Sequence, residues 1–317
     1  MNKEIPILGI IVPCFNEEEI IIKTAEVVGS VLKSLVAKGK IKAESFLVFV
    51  DDGSTDQTWS IISRLAGESS AIKAVKLSGN RGHQFALIAG IETFYSSAEA
   101  LISIDADLQD DVSAIERMVD NYSSGSQIVF GVRKGRERDS YFKRNTAVIF
   151  YRLMQILGVN VLSNHADFRL ISRRVAEHLN QFKENNLFLR GVLPLIGFKH
   201  SIVYYDRKER TAGISKYPLL KMLSFAWEGI TSFSIKPLRF VTFLGFIVFL
   251  VSIFATVFVI YSRLFLNVVP GWASIVLPMY LLGGIQLLAI GMIGEYIGKI
   301  YQEVKHRPRY IIEDIIL

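Results

Sequence analysis

Three short clusters in this sequence hold residue types that can do chemistry together. The densest is Asp105-Ala106-Asp107-Leu108-Gln109-Asp110-Asp111. Carboxylates at i and i+2 just past a strand can face one crevice, and packed anionic oxygens call for a cation. Mg2+ or Mn2+, held by one or two carboxylates plus substrate phosphates, suits that donor set. The amide oxygen of Gln109 would add a neutral hard ligand. Acidic pairs also cap helices, and Asp110 and Asp111 are open to that smaller role ahead of a helix near Val112. A second cluster is Asp51-Asp52-Gly53-Ser54-Thr55-Asp56. One carboxylate leaving a strand can accept hydrogen bonds from a nucleobase N–H or ribose hydroxyls. The same residues also read as a turn and cap, with Ser54 and Gln57 at capping-box spacing. The third cluster runs from Pro13 to Glu17. Beyond these, His83 and Gln84 open a helix whose start could face a phosphate, or merely supply a polar cap.

These clusters need a scaffold, and the apolar pattern supplies one. Ile7 to Val12, Phe46 to Val50, Ile72 to Leu77, Leu101 to Ile104 and Ile128 to Val132 read as buried strands. Helical stretches separate them: one capped by Asn16 with Glu19 three residues on, one through Arg64, one from about His83 to Tyr95. Strands spaced by helices mean βαβ units and a mostly parallel sheet. Ligands of such sheets sit at the carboxyl ends of the strands, where all three clusters fall. No G-x-G-x-x-G follows the first strand, which disfavours a dinucleotide fold.

Composition narrows the class. Of 317 residues, 50% are hydrophobic and 21% charged, which excludes disorder and a wholly membrane-embedded transporter. A single cysteine, Cys14, excludes an internal disulfide framework and a Cys-rich zinc site; it reads as a packing residue. The net charge of +6 suits an anionic partner such as a nucleic acid, a nucleotide or a membrane surface. The mean hydropathy of +0.34 requires that apolar residues be concentrated somewhere. Phe240–Ser262 and Asn267–Gly294 carry no Asp, Glu, Lys or Arg, and about 20 helical residues cross a bilayer. Basic residues flank both stretches, with only Arg263 between them. A hairpin of two transmembrane helices with both ends cytoplasmic is therefore expected. Between Ile214 and Ile235 an amphipathic stretch with Trp227 is expected to lie in the interface. Met1 to Pro6 is polar and Ile7 to Val12 is short, so no signal peptide is expected.

The ordered set Val12-Pro13-Cys14-Phe15-Asn16-Glu17, Val50-Asp51-Asp52-Gly53-Ser54-Thr55-Asp56 and Asp105-Ala106-Asp107-Leu108-Gln109 resembles family 2 inverting glycosyltransferases of the GT-A fold. Gly79-Asn80-Arg81-Gly82-His83-Gln84 and Arg210-x-x-Gly213-x-Ser215-Lys216 are similar to the polyprenyl-phosphate branch, which includes dolichol-phosphate mannose synthases. Gly294-Glu295-Tyr296-Ile297-Gly298-Lys299-Ile300-Tyr301 and Arg307-Pro308-Arg309-Tyr310 resemble the bacterial members with two transmembrane helices, among them bactoprenol glucosyltransferases. The resemblance covers essentially the whole chain. No Trp follows an Arg, so the Q-x-x-R-W motif of the processive synthases is missing, which argues against a polymerising enzyme.

The resemblance implies an α/β GT-A domain over residues 1–210, interfacial helices over 211–236, and two transmembrane helices over 237–317, spanning about 240–262 and 272–294, with a cytoplasmic tail. It implies that Pro13, Phe15, Glu17 and Asp51 line a nucleoside pocket, with Asp52 sharing that role. Asp105, Asp107 and Gln109 would hold a divalent cation and the donor diphosphate, with Ala106 among the donor-binding residues. Arg133, Arg210 and Lys216 match phosphate-contacting residues, and Arg136, Arg138, Lys143 and Arg144 form a further basic run. Asp167, in His165-Ala166-Asp167-Phe168-Arg169, stands where similar enzymes place a general base. Because a phosphate monoester is mostly ionised at neutral pH, Asp167 has a second possible task, orienting the acceptor or holding His165 or Arg169. The implied activity moves one sugar, glucose from UDP-glucose, to undecaprenyl phosphate at the bacterial cytoplasmic membrane, in contact with membrane lipid. The implied catalytic set is Asp107, Asp167 and Arg210. An amino-pentose donor and a silent membrane scaffold are the alternatives. No nucleic acid is expected, and a homo-oligomer is left open.

Overall fold

The computed structural model describes residues 5–133, 165–184, 189–206, 236–265 and 271–317. The chain divides into two compact units, one of residues 1–148, 160–216 and 308–317, the other of 149–159 and 217–307. The first unit alternates β1 (Leu8–Cys14), α1 (Ile21–Ala37), β2 (Phe46–Asp51), α2 (Thr58–Glu68), β3 (Ile72–Leu77), α3 (His83–Phe94), β4 (Ala100–Ser103), α4 (Ala114–Ser123) and β5 (Ile128–Arg133). It continues with β6 (His165–Ser172), α5 (Arg173–Leu179), α6 (Leu189–Leu195) and β7 (His200–Tyr205). The second unit holds α7 (Lys236–Phe265) and α8 (Trp272–Val304), and β8 (Ile312–Ile316) returns to the first.

All five expected strands form, shifted by a residue or two at their ends. β1 and β2 are buried along their whole length, because helices cover both faces of a parallel sheet and leave no solvent side. α1 turns Ile21, Thr24, Ala25, Val28, Leu32 and Leu35 inward, the spacing of one helical face. α3 is buried from Ala86 to Ile91 and presses against β1 and β2. Gly90 makes that approach possible, since a Cβ there would lie 2.6 Å from Ile11 Cγ2 and 2.9 Å from Val50 Cγ2.

The described strands form one sheet in the order β7-β5-β6-β4-β1-β2-β3-β8. It is mixed, with four of its seven ladders parallel, β5–β7 among them. β1 pairs in parallel with β2 and β4, and β3 with β2, but β6 runs antiparallel to β4 and β5, and β8 antiparallel to β3. The expectation rested on strand–helix alternation, which says nothing of strands that return from a long connection.

Two helix starts also differ from expectation. α1 begins after Ile20 with no side-chain cap, and Gln57 rather than Ser54 precedes α2. Asn16 and Ser54 are instead used to join their two loops.

A larger correction concerns the hairpin. Among the described residues no helix is long and apolar enough to cross a membrane. This overturns the expected pair of transmembrane helices at about 240–262 and 272–294, and with it the multi-pass location in the bacterial cytoplasmic membrane. The expectation counted uncharged residues along the sequence and took each run as a span. α7 starts on Lys236 and Arg239, and α8 carries Pro278 inside it and Glu295, Lys299 and Glu303 in its last turns. The expected interfacial segment from Ile214 to Ile235, with Trp227, lies outside the described residues.

Candidate active site

Four loops meet at the carboxyl ends of β1, β2, β3 and β4. Cys14 pairs with Asp51 in register, and the Asp52 N–H donates to the Cys14 carbonyl at 2.9 Å, so the first two strands end side by side. Asn16 has a left-handed backbone, φ +53°, which its short polar side chain tolerates. Its N–H donates to Ser54 Oγ at 2.9 Å and its Oδ1 accepts from Thr55 N at 2.9 Å. Glu17 N donates to Thr58 Oγ1, and Gln57 N to Glu18 Oε2. The loop after β3 closes in from the other side. Gly53, φ +69°, sits so near Gly79 that a Cβ would lie 2.6 Å from its backbone.

Within this frame Asp51 and Asp52 have different surroundings. Asp52 is buried, and its two oxygens accept the N–H groups of Arg81 and Gly82, each at 2.7 Å. It fixes the loop that leads into α3. Asp51 is fully buried; Oδ2 accepts from Ser54 N at 3.2 Å, while Oδ1 has no hydrogen-bond partner. Burial raises its carboxyl above the ordinary range despite the Ser54 contacts. A buried acceptor with nothing to accept is costly, and a ligand N–H or O–H would satisfy it. Pro13 is buried in the end of β1, Phe15 is exposed, and Glu17 is half-buried. Burial pushes the Cys14 thiol up, with Asp51 and Glu17 adding to it, so Cys14 is an inert packing residue.

The acidic loop after β4 is held from two sides. Ala106 is buried and its carbonyl accepts from Thr24 Oγ1 at 2.7 Å. Leu108 is left-handed, φ +52°, a strained conformation for a residue with a Cβ. Asp107 Oδ1 accepts from Gln109 N at 3.2 Å. Asp105 stands half-buried, its Oδ1 3.4 Å from His83 Nε2 at the start of α3. Burial raises its carboxyl, His83 opposes this, and Asp110, Asp167 and Asp107 add to the rise. Among the described residues no three His, Cys, Asp or Glu side chains are gathered as a metal would need from protein alone. The donor set nonetheless fits a hard cation that keeps open positions, because Asp105 is crowded by like charge that such an ion would relieve.

Asp110 and Asp111 part company. Asp111 closes the turn before α4, accepting from Ser113 N at 3.1 Å and Ser113 Oγ at 2.6 Å, and α4 itself starts at Ala114 with no side-chain cap. Asp110 turns inward, buried, and its Oδ1 takes the Tyr205 hydroxyl at 2.7 Å and Arg133 Nη2 at 3.1 Å. Burial and then Asp110 hold the Tyr205 phenol well above its ordinary value, so it stays a donor. Arg133, at the end of β5, is thereby oriented by two partners.

Asp167 lies across from Asp105. β4 and β6 pair with Ser103 opposite Arg169, and just beyond β4 the Asp105 carboxyl feels the charge of Asp167. His83 Nε2 stands near both, 4.0 Å from Asp167 Oδ2. Opposed carboxylates repel, and two arginines answer this. Arg169 pairs with Asp167 Oδ1, and Arg190 binds both oxygens, Nη2 to Oδ2 at 2.7 Å and Nε to Oδ1 at 3.2 Å. Burial would raise the Asp167 carboxyl, but the Arg169 and Arg190 guanidiniums outweigh it and hold it well below the carboxylate range.

The structure thus gathers Pro13, Phe15, Glu17, Asp51, Asp52, Asp105, Ala106, Asp107, Gln109, Arg133 and Asp167 at one edge of the sheet. Arg210, Lys216 and the run Arg136, Arg138, Lys143 and Arg144 lie outside the described residues. Sequence reading missed Tyr205 and Arg190. Neither stands in a motif, and only the return of β6 and β7 to the sheet brings them in.

The chain is similar along most of its length to known proteins. An uncharacterized glycosyltransferase of Bacillus subtilis (strain 168), YkoT, is 49% identical over 99% of this chain and 93% of its own length. A bactoprenol glucosyl transferase of Shigella phage SfV is 39% identical over 97% of this chain and 98% of its own. Among solved structures, glucosyl-3-phosphoglycerate synthase from Mycobacterium tuberculosis aligns at 20% identity and a TM-score of 0.45, over 71% of this chain and 78% of that one. Residues 9–179 match the description of one family from β1 to the end of α5, so the chain belongs to glycosyl transferase family 2.

Proposed function

We propose that this glycosyltransferase moves a single glucose from UDP-glucose to the phosphate of a polyprenyl phosphate, with inversion. The observation that carries the reading is the near full-length similarity to a relative named bactoprenol glucosyl transferase. The site supports it in its order. From β2 through β1 and β4 to β6, the strand ends present the unpartnered Asp51 Oδ1, the Asp105–Asp107 carboxylates, and then Asp167 with its arginines.

In this reading Asp51 accepts from the nucleobase, with Pro13, Phe15 and Glu17 around it. Asp105, Asp107 and Gln109 hold a divalent cation, Mg2+ or Mn2+. When bound, that ion neutralises the charge that grows on the departing diphosphate. Arg133, set by Asp110 and Tyr205, offers a fixed cation to phosphate oxygens. The acceptor attacks through a phosphate oxygen that is already ionised at neutral pH, so the chain has little proton to remove. Positioning and electrostatics then supply most of the rate. Arg210 and Lys216 keep their proposed share in holding phosphate.

The test is direct. Purified protein is given UDP-glucose, Mn2+ and a short-chain polyprenyl phosphate, and UDP release and the glycosylated lipid are measured together. Glucosylated lipid formed in step with UDP is the expected result. UDP release that ignores the lipid phosphate, or product only with another nucleotide sugar, would overturn the acceptor or the donor respectively.

A further inference from the structure

Two guanidiniums converge on Asp167, and they differ in exposure. Arg169 is buried, with 3% of its side chain exposed, whereas Arg190 keeps 38% exposed. The buried Arg169 is closed in with the carboxylates, whereas the half-buried Arg190 also reaches the rim. Asp167 grips Arg190 through both Nε and Nη2. This two-pronged contact fixes the plane of the guanidinium as well as its place. α6, which carries Arg190, is tied to the site by a second link. The N–H of Leu189 donates to Gln84 Oε1 at 3.4 Å, beside His83, which stands 3.4 Å from Asp105.

Position along the sheet edge says what Arg190 meets. In-line displacement puts the incoming oxygen opposite the departing nucleotide. If the nucleotide lies over β2 and β1 and its diphosphate over β4, the incoming group arrives over β6. Asp167 is there, and Arg190 with it. We propose that Arg190 contacts the phosphate of the acceptor, and that Asp167 is a positioning residue that sets the Arg190 guanidinium rather than one that removes a proton. The inference rests on the phosphate acceptor of the proposed function and names the side chain that receives it. Both Asp167 oxygens are already held by guanidinium N–H groups, which suits a clamp and leaves a base poorly placed. An arginine fork matches two phosphate oxygens as a lysine cannot.

The experiment uses the full chain with Arg190→Gln, Arg190→Lys and Asp167→Asn, and reads binding before turnover. Binding of a short-chain polyprenyl phosphate and of UDP with Mn2+ is measured separately by calorimetry. Arg190→Gln is expected to weaken lipid-phosphate binding roughly 10- to 100-fold and to leave UDP binding within about twofold. Arg190→Lys should recover part of that affinity. Asp167→Asn should shift the same phosphate affinity in the same direction, by less. Unchanged phosphate affinity in Arg190→Gln overturns the inference. Should that variant lose UDP binding too, as a misfolded protein would, Arg190→Lys decides: weakening confined to phosphate supports the inference, and none overturns it. Wild-type protein that binds lipid phosphate through Arg190 yet forms no glycosylated lipid sinks the proposed function alone. Wild-type protein that does not bind the phosphate sinks both.

Discussion

At the scale of single residues, the carboxylates of this site are sorted by what surrounds them. Asp52 is spent on backbone N–H groups and Asp110 Oδ1 on Tyr205 and Arg133, while Asp105 is crowded by like charge and close to His83. If Asp105 and Asp107 hold the cation, chelator abolishes transfer, and Mg2+ or Mn2+ restores it. Asp107→Asn should then lower turnover at least ~100-fold, the scale of losing one transition-state charge partner, with an unchanged circular dichroism spectrum. Full activity in EDTA would refute the assignment. Asp167 gives a second prediction, from pH. Its folded carboxyl is depressed, so its stabilising effect is present above the ordinary aspartate value and lost only as pH falls below it. Between pH 5 and 8 it does not titrate. The acid limb of turnover should instead follow the second ionisation of the acceptor phosphate, near pH 6. Asp167→Asn should lower the rate but keep that limb in place. A limb that vanishes in this variant would make Asp167 the titrating group.

Among the elements, β8 was the least expected. It closes the β3 edge, which would otherwise present unpaired backbone groups. Lys76 pairs with Glu313 at 2.9 Å, Ser78 N donates to the Ile311 carbonyl at 2.9 Å, and the half-buried Tyr310 hydroxyl bonds Glu92 of α3. Tyr310→Phe leaves the Glu92 carboxylate without that donor, a cost of about 1–3 kcal/mol. Since 1 kcal/mol moves the midpoint of a domain this size by about 2–4 °C, thermal unfolding should shift down by several degrees. No shift would show that β8 is held by its ladder alone. Why the sequence showed β1 to β5 and hid this strand is physical. The first strands are apolar runs cut off by Pro13 or an aspartate, and burial on both faces makes them so. β8 is an edge strand with Glu313 and Asp314 in its middle, and β6 carries Asp167 and Arg169 because it lines the crevice. Motif residues such as Asp105 and Asp51 were legible because they follow apolar strands directly. Arg190 and Tyr205 were not, since their partners are far away in sequence. The uncharged stretches misled in the opposite direction, because charge counts along a chain do not define a helix that crosses a bilayer.

Across the whole molecule, the sheet acts as a ruler that separates the two substrates. Asp51 ends β2, whereas Arg190 is held at Asp167 on β6, and β1 and β4 lie between. Strands are spaced by about 4.8 Å, so three steps put the two places roughly 14 Å apart. Sites that far apart with no shared partner contribute independently, while groups in one ion pair do not. Asp51→Asn turns an acceptor into a donor against the ligand and should cost about 1.5–3 kcal/mol, roughly 10- to 100-fold, in the donor term. Arg190→Lys should act on the acceptor term. With both substrates well below saturation, the double variant Asp51→Asn with Arg190→Lys should therefore lose the product of the two single losses. Asp167→Asn with Arg190→Lys should lose much less than the product, because each change already breaks the same contact. The measurement is two double-variant cycles on the initial rate, with folding checked by thermal unfolding. Strong coupling between Asp51 and Arg190 would mean that one substrate reaches both residues. The crevice would then not be divided along the strand order, and the acceptor would have to enter from another side.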